Sequence, residues 1–386
     1  MSLTPELQAL RDEAMRVSCV DWAIRKRWKL GPGIDRAGPC PNCGGDDRFA
    51  VHTRKNSFNC RRCGLAGGGV IDLVMKTEGL DFVKACELIT GRRADAPHDP
   101  ARARRLAEEA RRSEEKRARE AERDRSAAIK AGWEIWQAAA NMDPQAREMV
   151  AAYLERRGVA AAIPRLRRSA IRGLMALPWF EGTERGAIEI HRGPAMLAPV
   201  IQPDGTFGAV HQTWLDLAQP KGKLNLGNDE RGKPRTAKKT RGHVGGGAIR
   251  LYTPKDAFRL VMGEGIETTL TPLAWAFEPA TAYWAGVSLV NMSGRAARDG
   301  AGHEIHDQPD MNDQNSFVPP DWCRELVFLS DGDDPKSRIH DKLKRGLRRA
   351  MRARPGLRGF IVPAPAPGTD MNELAMMLRQ GEGVGE

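Results

Sequence analysis

The chain has 386 residues, a net charge of +11 and an isoelectric point near 9.5. This length allows two or three domains with a sizeable core, and so basic a protein usually meets nucleic acid or another anionic surface. No apolar run is long enough to span a bilayer, and residues 1–8 lack the basic-then-apolar order of a signal peptide. We therefore expect a cytoplasmic protein with no membrane partner, in which paired cysteines bind metal rather than form disulfides.

Four of the seven cysteines form two Cys-x-x-Cys steps, which are Cys40-Pro-Asn-Cys43 and Cys60-Arg-Arg-Cys63. Each step presents two thiolates from one tight turn, and four thiolates suit a tetrahedral Zn²⁺ ion. Since four protein ligands leave no open coordination position, the zinc would be structural. Four incidental cysteines are the alternative reading of the same spacing.

The residues around the cysteines complete a recognisable pattern. Residues 48–52 and 57–59 predict the two strands of a hairpin, and residues 70–76 and 81–90 have helical spacing. Together with the cysteines, the stretch 40–90 resembles the zinc-binding domain of DnaG-type primases. The resemblance implies an N-terminal zinc ribbon with helices over residues 1–92, which would read or hold a single-stranded template.

Residues 93–140 differ sharply in composition from their neighbours. The stretch 101–130 is dense in Arg, Glu and Ala and has no periodic apolar stripe. This composition predicts a charged helical linker exposed to solvent, rather than a coiled coil.

Residues 141–254 predict a basic domain of mixed α and β structure. Tyr153-Leu-Glu-Arg-Arg-Gly158 ends a predicted helix, and a Pro-Asp-Gly turn at 203–205 joins two predicted strands. This order resembles the basic subdomain of the DnaG-type primase core, whose lysines meet the template and the nucleotide. The resemblance makes Lys238, Lys239 and Arg241 the candidate phosphate ligands, with Lys223 as a further candidate, and ordinary surface charge is the alternative for each.

Two short apolar runs later in the chain predict buried parallel strands, each followed by carboxylates. Glu264 follows the run 258–263, and Asp331 and Asp333 follow the run 325–330. Ligands of open α/β sheets bind outside the carboxyl ends of the strands, and clustered carboxylates with phosphates suit Mg²⁺. The pattern favours metal-assisted phosphoryl transfer, and helix capping by these acids is the alternative.

The stretch 263–268, Gly-Glu-Gly-Ile-Glu-Thr, followed by Asp331-Gly-Asp333, resembles the Toprim domain of primases and topoisomerases. The resemblance implies a Toprim domain with a parallel sheet over residues 255–380, followed by a tail, 381–386. It also implies that Glu264, Asp331 and Asp333 are catalytic and bind Mg²⁺ or Mn²⁺. Glu267 falls where many members carry Asp. Further along, Asp370 matches an acidic segment of the family, whereas Asn372 replaces an acid.

Zinc ribbon, basic domain and Toprim domain, in this order, resemble a DnaG-type primase over nearly the whole chain. The sequence thus predicts a multidomain α/β (α+β) enzyme that makes short RNA primers on single-stranded DNA from nucleoside triphosphates by two-metal nucleotidyl transfer. The implied setting is a phage or other mobile element, with a separate replicative helicase as a candidate partner. The alternatives are a Toprim-type nuclease or topoisomerase-like enzyme, and a non-catalytic DNA-binding replication protein.

Overall fold

The computed structural model describes residues 4–53, 55–94, 100–167, 169–182, 186–230, 232–299, 304–330, 338–363 and 369–380. The chain divides into two compact units, Met1–Glu122 and Arg123–Glu386. The division into five segments predicted above is finer and stays a prediction.

The first unit combines short helices with a small antiparallel sheet. Its helices are α1 (Pro5–Met15), α2 (Cys19–Arg25), α3 (Val70–Glu78) and α4 (Phe82–Thr90). Its strands, in spatial as well as sequence order, are β1 (Asp35–Cys40), β2 (Gly44–His52), β3 (Ser57–Cys60) and β4 (Ala66–Gly68).

Local signals set the helix ends in this unit. The side chain of Asp81 accepts a hydrogen bond from the Lys84 N–H at 2.9 Å, and Gly91 ends α4 in the left-handed conformation at φ 64°. Both are standard devices for satisfying the unpaired backbone groups of a helix. The apolar faces of α3 and α4 then pack on Phe49 and Phe58 of the sheet, which are buried. The hairpin and the two helices predicted for residues 48–90 are therefore confirmed.

A long helix, α5 (Pro100–Ala138), contains the boundary between the two units. It occupies most of the stretch whose composition predicted a charged helical linker. Its last turns are less polar, and Trp136 is buried in the second unit against Leu177 and Trp179.

The second unit holds two larger sheets and the helices that cover them. Its first half consists of α6 (Pro144–Arg156), a 3₁₀ helix (Ala160–Arg165), β5 (Arg172–Glu181), β6 (Ile188–Ile201), β7 (Phe207–Trp214), β8 (Lys238–Gly242) and β9 (Ile249–Tyr252). Its second half consists of β10 (Arg259–Gly263), α7 (Ile266–Trp275), β11 (Thr281–Ala285), α8 (Leu289–Ser293), β12 (Ala296–Arg298), β13 (Glu304–Pro309), β14 (Glu325–Leu329), α9 (Ile339–Ala353), β15 (Arg358–Val362) and α10 (Met371–Gln380).

The first of these sheets is an antiparallel meander in the order β5-β6-β7-β8. The Pro203-Asp-Gly205 turn joins β6 to β7, as predicted, and Gly205 adopts φ 88° there. One face of this sheet packs against the end of α5, and the other packs against the second sheet. Because side chains alternate along a strand, successive residues of β8 point in turn toward α5 and toward the second sheet.

The second sheet has the order β15-β14-β10-β11-β9, in which the first four strands are parallel and β9 is antiparallel at the edge. The parallel strands are short apolar runs with buried residues such as Leu260, Met262 and Phe328, as expected for strands covered on both faces. After β10 the chain forms α7 and β11 on one side, and β14 lies on the other side of β10. The strand order thus reverses beside β10, which is where open α/β sheets bind ligands.

A small hairpin, β12–β13, is attached to the arginine-rich helix α9. Arg345 donates to the carbonyl of His306 at 2.6 Å, and Arg349 donates to the carbonyl of Asp310 at 3.0 Å. The hairpin is therefore held in part by buried guanidinium groups of α9.

The predicted fold class, a multidomain mixture of α and β structure, is confirmed by these sheets and helices. Within the part of the chain that the structure describes, no helix has both the length and the apolar character needed to cross a bilayer.

Candidate functional site

The four cysteines of the first unit converge at one point. Cys40 ends β1, Cys60 ends β3, and Cys43 and Cys63 lie in the turns that follow. The four sulfurs lie within 4.8 Å of one another, with 3.7 Å between Cys40 and Cys63 and 3.6 Å between Cys43 and Cys60. A tetrahedral site with Zn–S bonds of about 2.3 Å needs sulfurs roughly 3.8 Å apart. The cluster therefore has the ligand set and the spacing of a structural zinc site.

Backbone groups of the second turn already favour a thiolate in this cluster. The N–H groups of Cys63 and Arg62 point at the Cys60 sulfur and lower the pKa of its thiol to about 6. Thiolates, not thiols, bind metal ions. His52, by contrast, uses its Nδ1 atom to accept a hydrogen bond from the Lys55 N–H at 3.2 Å and is an ordinary strand residue.

In the second unit, Glu264 lies at the carboxyl end of β10. Its carbonyl accepts the Val287 N–H at 2.9 Å, which fixes its backbone against the chain that leaves β11. A Cβ on the preceding Gly263 would lie 2.9 Å from atoms of Thr268 and Thr269, so glycine allows α7 to begin directly beside the strand. The glycine that precedes Glu264 in the sequence is therefore required by the close approach of α7 to β10.

Strand β14 ends at the same edge of the sheet as β10. Met262 of β10 lies opposite Phe328 of β14, and β14 ends one residue later at Leu329. Asp331 and Asp333, the other two predicted metal ligands, follow in the sequence but lie outside the described residues.

Several charged side chains surround Glu267 in the first turn of α7. Glu267 is 3 % exposed, and its Oε1 and Oε2 atoms lie 3.1 Å from the Nζ atoms of Lys223 and Lys238, respectively. The hydroxyl of Tyr153 donates a further hydrogen bond to Oε1. Burial opposes the charge of Glu267, but Lys238, Lys223 and Arg157 outweigh it and hold the pKa of this carboxyl well below its usual range.

Glu267, Lys223, Lys238 and Arg157 line one cavity of about 260 Å³ together with Glu264, Asp370 and His211. Arg157 is 2 % exposed, and its Nε and Nη1 atoms have no hydrogen-bond partner among the described residues. Guanidinium N–H groups without partners are costly to bury, and a bound anion would satisfy these two. Burial and Lys238 lower the pKa of His211 to about 4, so its imidazole is neutral near pH 7.

The start of helix α7 adds further positive potential to the cavity. Gly265 is its N-cap residue and forms no side-chain cap, and Gly265, Ile266 and Thr268 all line the cavity. The N-terminus of a helix carries partial positive charge and free N–H groups that favour phosphates.

Asp370 and Asn372, near the start of α10, have different surroundings. Asp370 lines the cavity, and its carboxylate accepts the Glu373 N–H at 2.7 Å as a helix cap. Asn372 is fully buried and donates to the carbonyl of Arg157 at 2.8 Å. Asn372 thus supports the backbone of Arg157.

The three predicted basic ligands of β8 do not share one environment. Lys238 lines the cavity, whereas Lys239 and Arg241 alternate to the opposite face of the sheet. The ammonium group of Lys239 lies 3.4 Å from the ring centroid of Trp179 and donates to the carbonyl of Phe180. The structure brings Lys238, Glu264 and Asp370 together, and their roles stay predictions.

Sequence reasoning gave no role to Arg157, Tyr153 or His211, and it mentioned Glu267 only as a departure from a family pattern. Tyr153 and Arg157 both belong to the segment 153–158, whose sequence predicted only the end of a helix. Their meeting with Lys223 and Glu267 depends on tertiary packing.

Comparisons with known proteins give distant similarities. A family model described as a domain of unknown function (DUF7146) matches residues 126–251, and no curated protein matches the chain. A crystal structure of the Aquifex aeolicus primase, with zinc-binding and RNA polymerase domains, is 14 % identical, with 98 % of this chain and 84 % of that chain covered and a TM-score of 0.35.

Two further structures cover the larger part of the chain. One is a DnaG primase catalytic domain bound to single-stranded DNA, at 14 % identity, 67 % and 81 % coverage and a TM-score of 0.38. The other is the RNA polymerase domain of the Mycobacterium tuberculosis primase DnaG, at 14 % identity, 67 % and 82 % coverage and a TM-score of 0.35.

Proposed function

We propose that this protein is a DNA primase, which synthesises short RNA primers on single-stranded DNA from nucleoside triphosphates. The observation that carries the proposal is the joint lining of one cavity by Glu264, Lys223, Lys238 and Arg157 beside the strand-order reversal of a parallel sheet. A carboxylate for a metal ion and cations for a polyphosphate are the two requirements of metal-assisted nucleotidyl transfer. The motif resemblance to DnaG-type primases supports the same function.

Glu264, Asp331 and Asp333 are the proposed ligands of Mg²⁺ or Mn²⁺. The donor set fits, since all three are carboxylates and Glu264 lines the cavity beside the proposed phosphate ligands. When bound, the metal ions would stabilise negative charge on the triphosphate and favour ionisation of the attacking 3′-hydroxyl.

The chain's own residues would bind and orient the triphosphate. Lys223, Lys238 and the unpaired Arg157 offer ammonium and guanidinium donors, and the N-terminus of α7 adds backbone donors. Asp370 is proposed to bound the nucleotide site on the α10 side. Because Lys239 and Arg241 lie on the far face of β8, we assign them to the template rather than to the nucleotide.

The first unit would hold the template. We propose a structural Zn²⁺ ion on Cys40, Cys43, Cys60 and Cys63, whose sulfur spacing fits it. Such an ion contributes folding free energy to the small sheet whose turns it joins. We also propose that the protein acts in the cytoplasm, that it belongs to a phage or other mobile element, and that a separate helicase is its partner.

The topoisomerase-like alternative needs an accessible tyrosine nucleophile. The chain has three tyrosines. Tyr153 is fully buried on Glu267, and Tyr283 is 1 % exposed with its hydroxyl 3.1 Å from the Glu278 N–H. Tyr252 packs against Phe277 and Tyr283. These environments favour the polymerase reading over covalent cleavage of DNA.

The test is incubation of the purified protein with single-stranded circular DNA, Mg²⁺ and labelled ribonucleotides. We expect short, alkali-sensitive products that require the template, and on the order of a hundredfold less product from Glu264→Gln at the same Mg²⁺ concentration. Cleavage of the circle without any nucleotide incorporation would instead establish the nuclease reading, and neither activity would favour the non-catalytic one.

A further inference from the structure

Glu267 lies three residues after Glu264 and resembles a metal ligand by sequence position, but its surroundings differ from those of a metal ligand. Both carboxylate oxygens are already engaged, Oε1 by Lys223 and Tyr153 and Oε2 by Lys238. A metal ion at this carboxylate would have to displace an ammonium group from a buried position. The geometry therefore favours a role for Glu267 toward the lysines.

Among the residues that the structure describes, Glu267 leaves the two lysines with unused donors. Each ammonium group has three N–H donors and gives one to Glu267. The side chains of Lys223 and Lys238 are 24 % and 31 % exposed, so each is buried along its stem and open at the cavity. Without Glu267, two ammonium groups and Arg157 would repel one another in a buried space.

The donors of the cavity wall define the missing ligand. Lys223, Lys238 and Arg157 bring three positive charges to this wall, and Glu264, Glu267 and Asp370 bring three negative charges. The lysine N–H groups that Glu267 does not use, the unpartnered Nε and Nη1 atoms of Arg157 and the start of α7 together suit an anion with several acceptor oxygens. A pyrophosphate group is such an anion.

We propose that Glu267 is a positioning residue that holds Lys223 and Lys238 side by side as a clamp for the β- and γ-phosphates of the incoming nucleotide, and that it does not bind the catalytic metal. Tyr153 fixes the orientation of the Glu267 carboxylate through its hydroxyl. This inference rests on the proposed primase function for the identity of the nucleotide, but the clamp itself binds pyrophosphate with or without catalysis.

The clamp has a pH signature that a purely structural pair would lack. Burial lowers the pKa of Lys223 to about 8, and Glu267 limits that fall while Lys238 and Arg157 add to it. The neighbouring groups do not change charge near this pH, since the pKa of Tyr153 is raised well above its usual value and that of His211 is lowered to about 4. Glu264 and Asp370 also line the cavity. Binding of pyrophosphate should therefore weaken as pH rises through about 8.

The experiment measures pyrophosphate binding to the full chain by calorimetry between pH 6.5 and 9.5, without added divalent metal. Glu267→Gln should weaken binding on the order of tenfold and move the pH midpoint downward, because the lysines lose their charge-assisted partner. Tyr153→Phe, which keeps the buried shape, should weaken binding by roughly twofold to fivefold. Glu264→Gln is the matched control and should bind pyrophosphate at least as well as the wild type, since it removes a negative charge from the same cavity.

Primer synthesis supplies the second readout. Glu264→Gln should raise the Mg²⁺ concentration needed for half-maximal synthesis, whereas Glu267→Gln should leave it unchanged and raise KM for the nucleotide. A shift in the Mg²⁺ requirement of Glu267→Gln matching that of Glu264→Gln would show that Glu267 is a metal ligand. Unchanged pyrophosphate affinity and pH midpoint in Tyr153→Phe would also overturn the clamp, even where Glu267→Gln fails to fold. A wild type that binds pyrophosphate with this pattern but makes no primer would refute the primase function and leave the clamp standing.

Discussion

Replacing Tyr153 with phenylalanine removes a single hydroxyl from the interior of the second unit and tests how firmly Glu267 is held. Tyr153 is fully buried, and its hydroxyl donates to Glu267. Burial and the adjacent Glu267 raise the pKa of Tyr153 well above its usual value, so the hydroxyl keeps its proton and remains a donor. The substitution therefore deletes a hydrogen bond to an ionised partner at nearly constant shape.

The expected loss follows from the charge of the acceptor. Hydrogen bonds to charged groups contribute about 1.5–3 kcal/mol net, and Tyr153→Phe leaves Glu267 with both lysines, so we expect a loss of about 2 kcal/mol in the free energy of unfolding. In a unit of this size, a loss of that magnitude should lower the thermal midpoint by roughly 4–8 °C.

The chain offers a matched control in Tyr283, which is 1 % exposed and whose hydroxyl hydrogen-bonds to backbone groups. Its hydroxyl accepts the Glu278 N–H at 3.1 Å and lies 3.4 Å from the Ala276 carbonyl. Tyr283→Phe should therefore cost about 0.5–1.5 kcal/mol, the range for a neutral hydrogen bond. Urea unfolding, followed by tryptophan fluorescence, measures both variants on the same transition.

A double-mutant cycle with Glu267→Gln isolates the Tyr153–Glu267 interaction. We expect a coupling free energy of about 1 kcal/mol or more, as found for residues that share a hydrogen-bond network. A coupling near zero, or a Tyr153→Phe variant no less stable than Tyr283→Phe, would refute the assignment of this contact.

Four further outcomes are expected. Cys60→Ser should abolish the binding of one zinc per chain and make residues 40–65 sensitive to protease, while the unfolding transition of the second unit persists; zinc retention by the variant would contradict the site. Lys238→Ala should raise KM for the nucleotide and Lys239→Ala should instead flatten the salt dependence of template binding, and identical effects would contradict their placement on opposite faces of β8. Asp331→Asn should slow primer synthesis on the order of a hundredfold with template binding retained, and an active variant would exclude Asp331 as a metal ligand. Because the pKa of Glu267 is held below its usual 4.5, its ion pairs stabilise the fold above that pH and are lost as pH falls below it, so Glu267→Gln should show a shallower acid unfolding curve.

The zinc cluster and the start of the second sheet could be predicted because their signals are local. Cys40 and Cys43 belong to one turn, and the glycines and apolar residues that set the hairpin are within twenty residues of them. Glu264 was also predictable, since a short apolar run followed by an acid places that acid at the edge of a parallel sheet. Such patterns need only the periodicity of one element and the chemistry of one side chain.

The clamp could not be predicted in this way, because its members come from four separate elements. Tyr153 and Glu267 are 114 residues apart in the sequence, and their contact depends on how α6 packs against α7. Lys238 and Lys239 are adjacent and carry the same charge, so the sequence does not indicate which of them faces the cavity. Only the register of β8 with β7 shows which lysine faces the cavity.

Strand β9 limits where the gene for this protein could recombine with another gene without disrupting the second sheet. Ile249–Tyr252 ends the region matched by the family model, yet it hydrogen-bonds to β11, which lies about thirty residues further along the chain. A gene fragment that ends after residue 252 would carry β9 without its partner β11, and one that begins after residue 252 would leave β11 as an exposed edge. Recombination at this junction would thus leave an unpaired strand in one product and an exposed sheet edge, which favours aggregation, in the other. Residues 126–251 and the Glu264 sheet should therefore be inherited together.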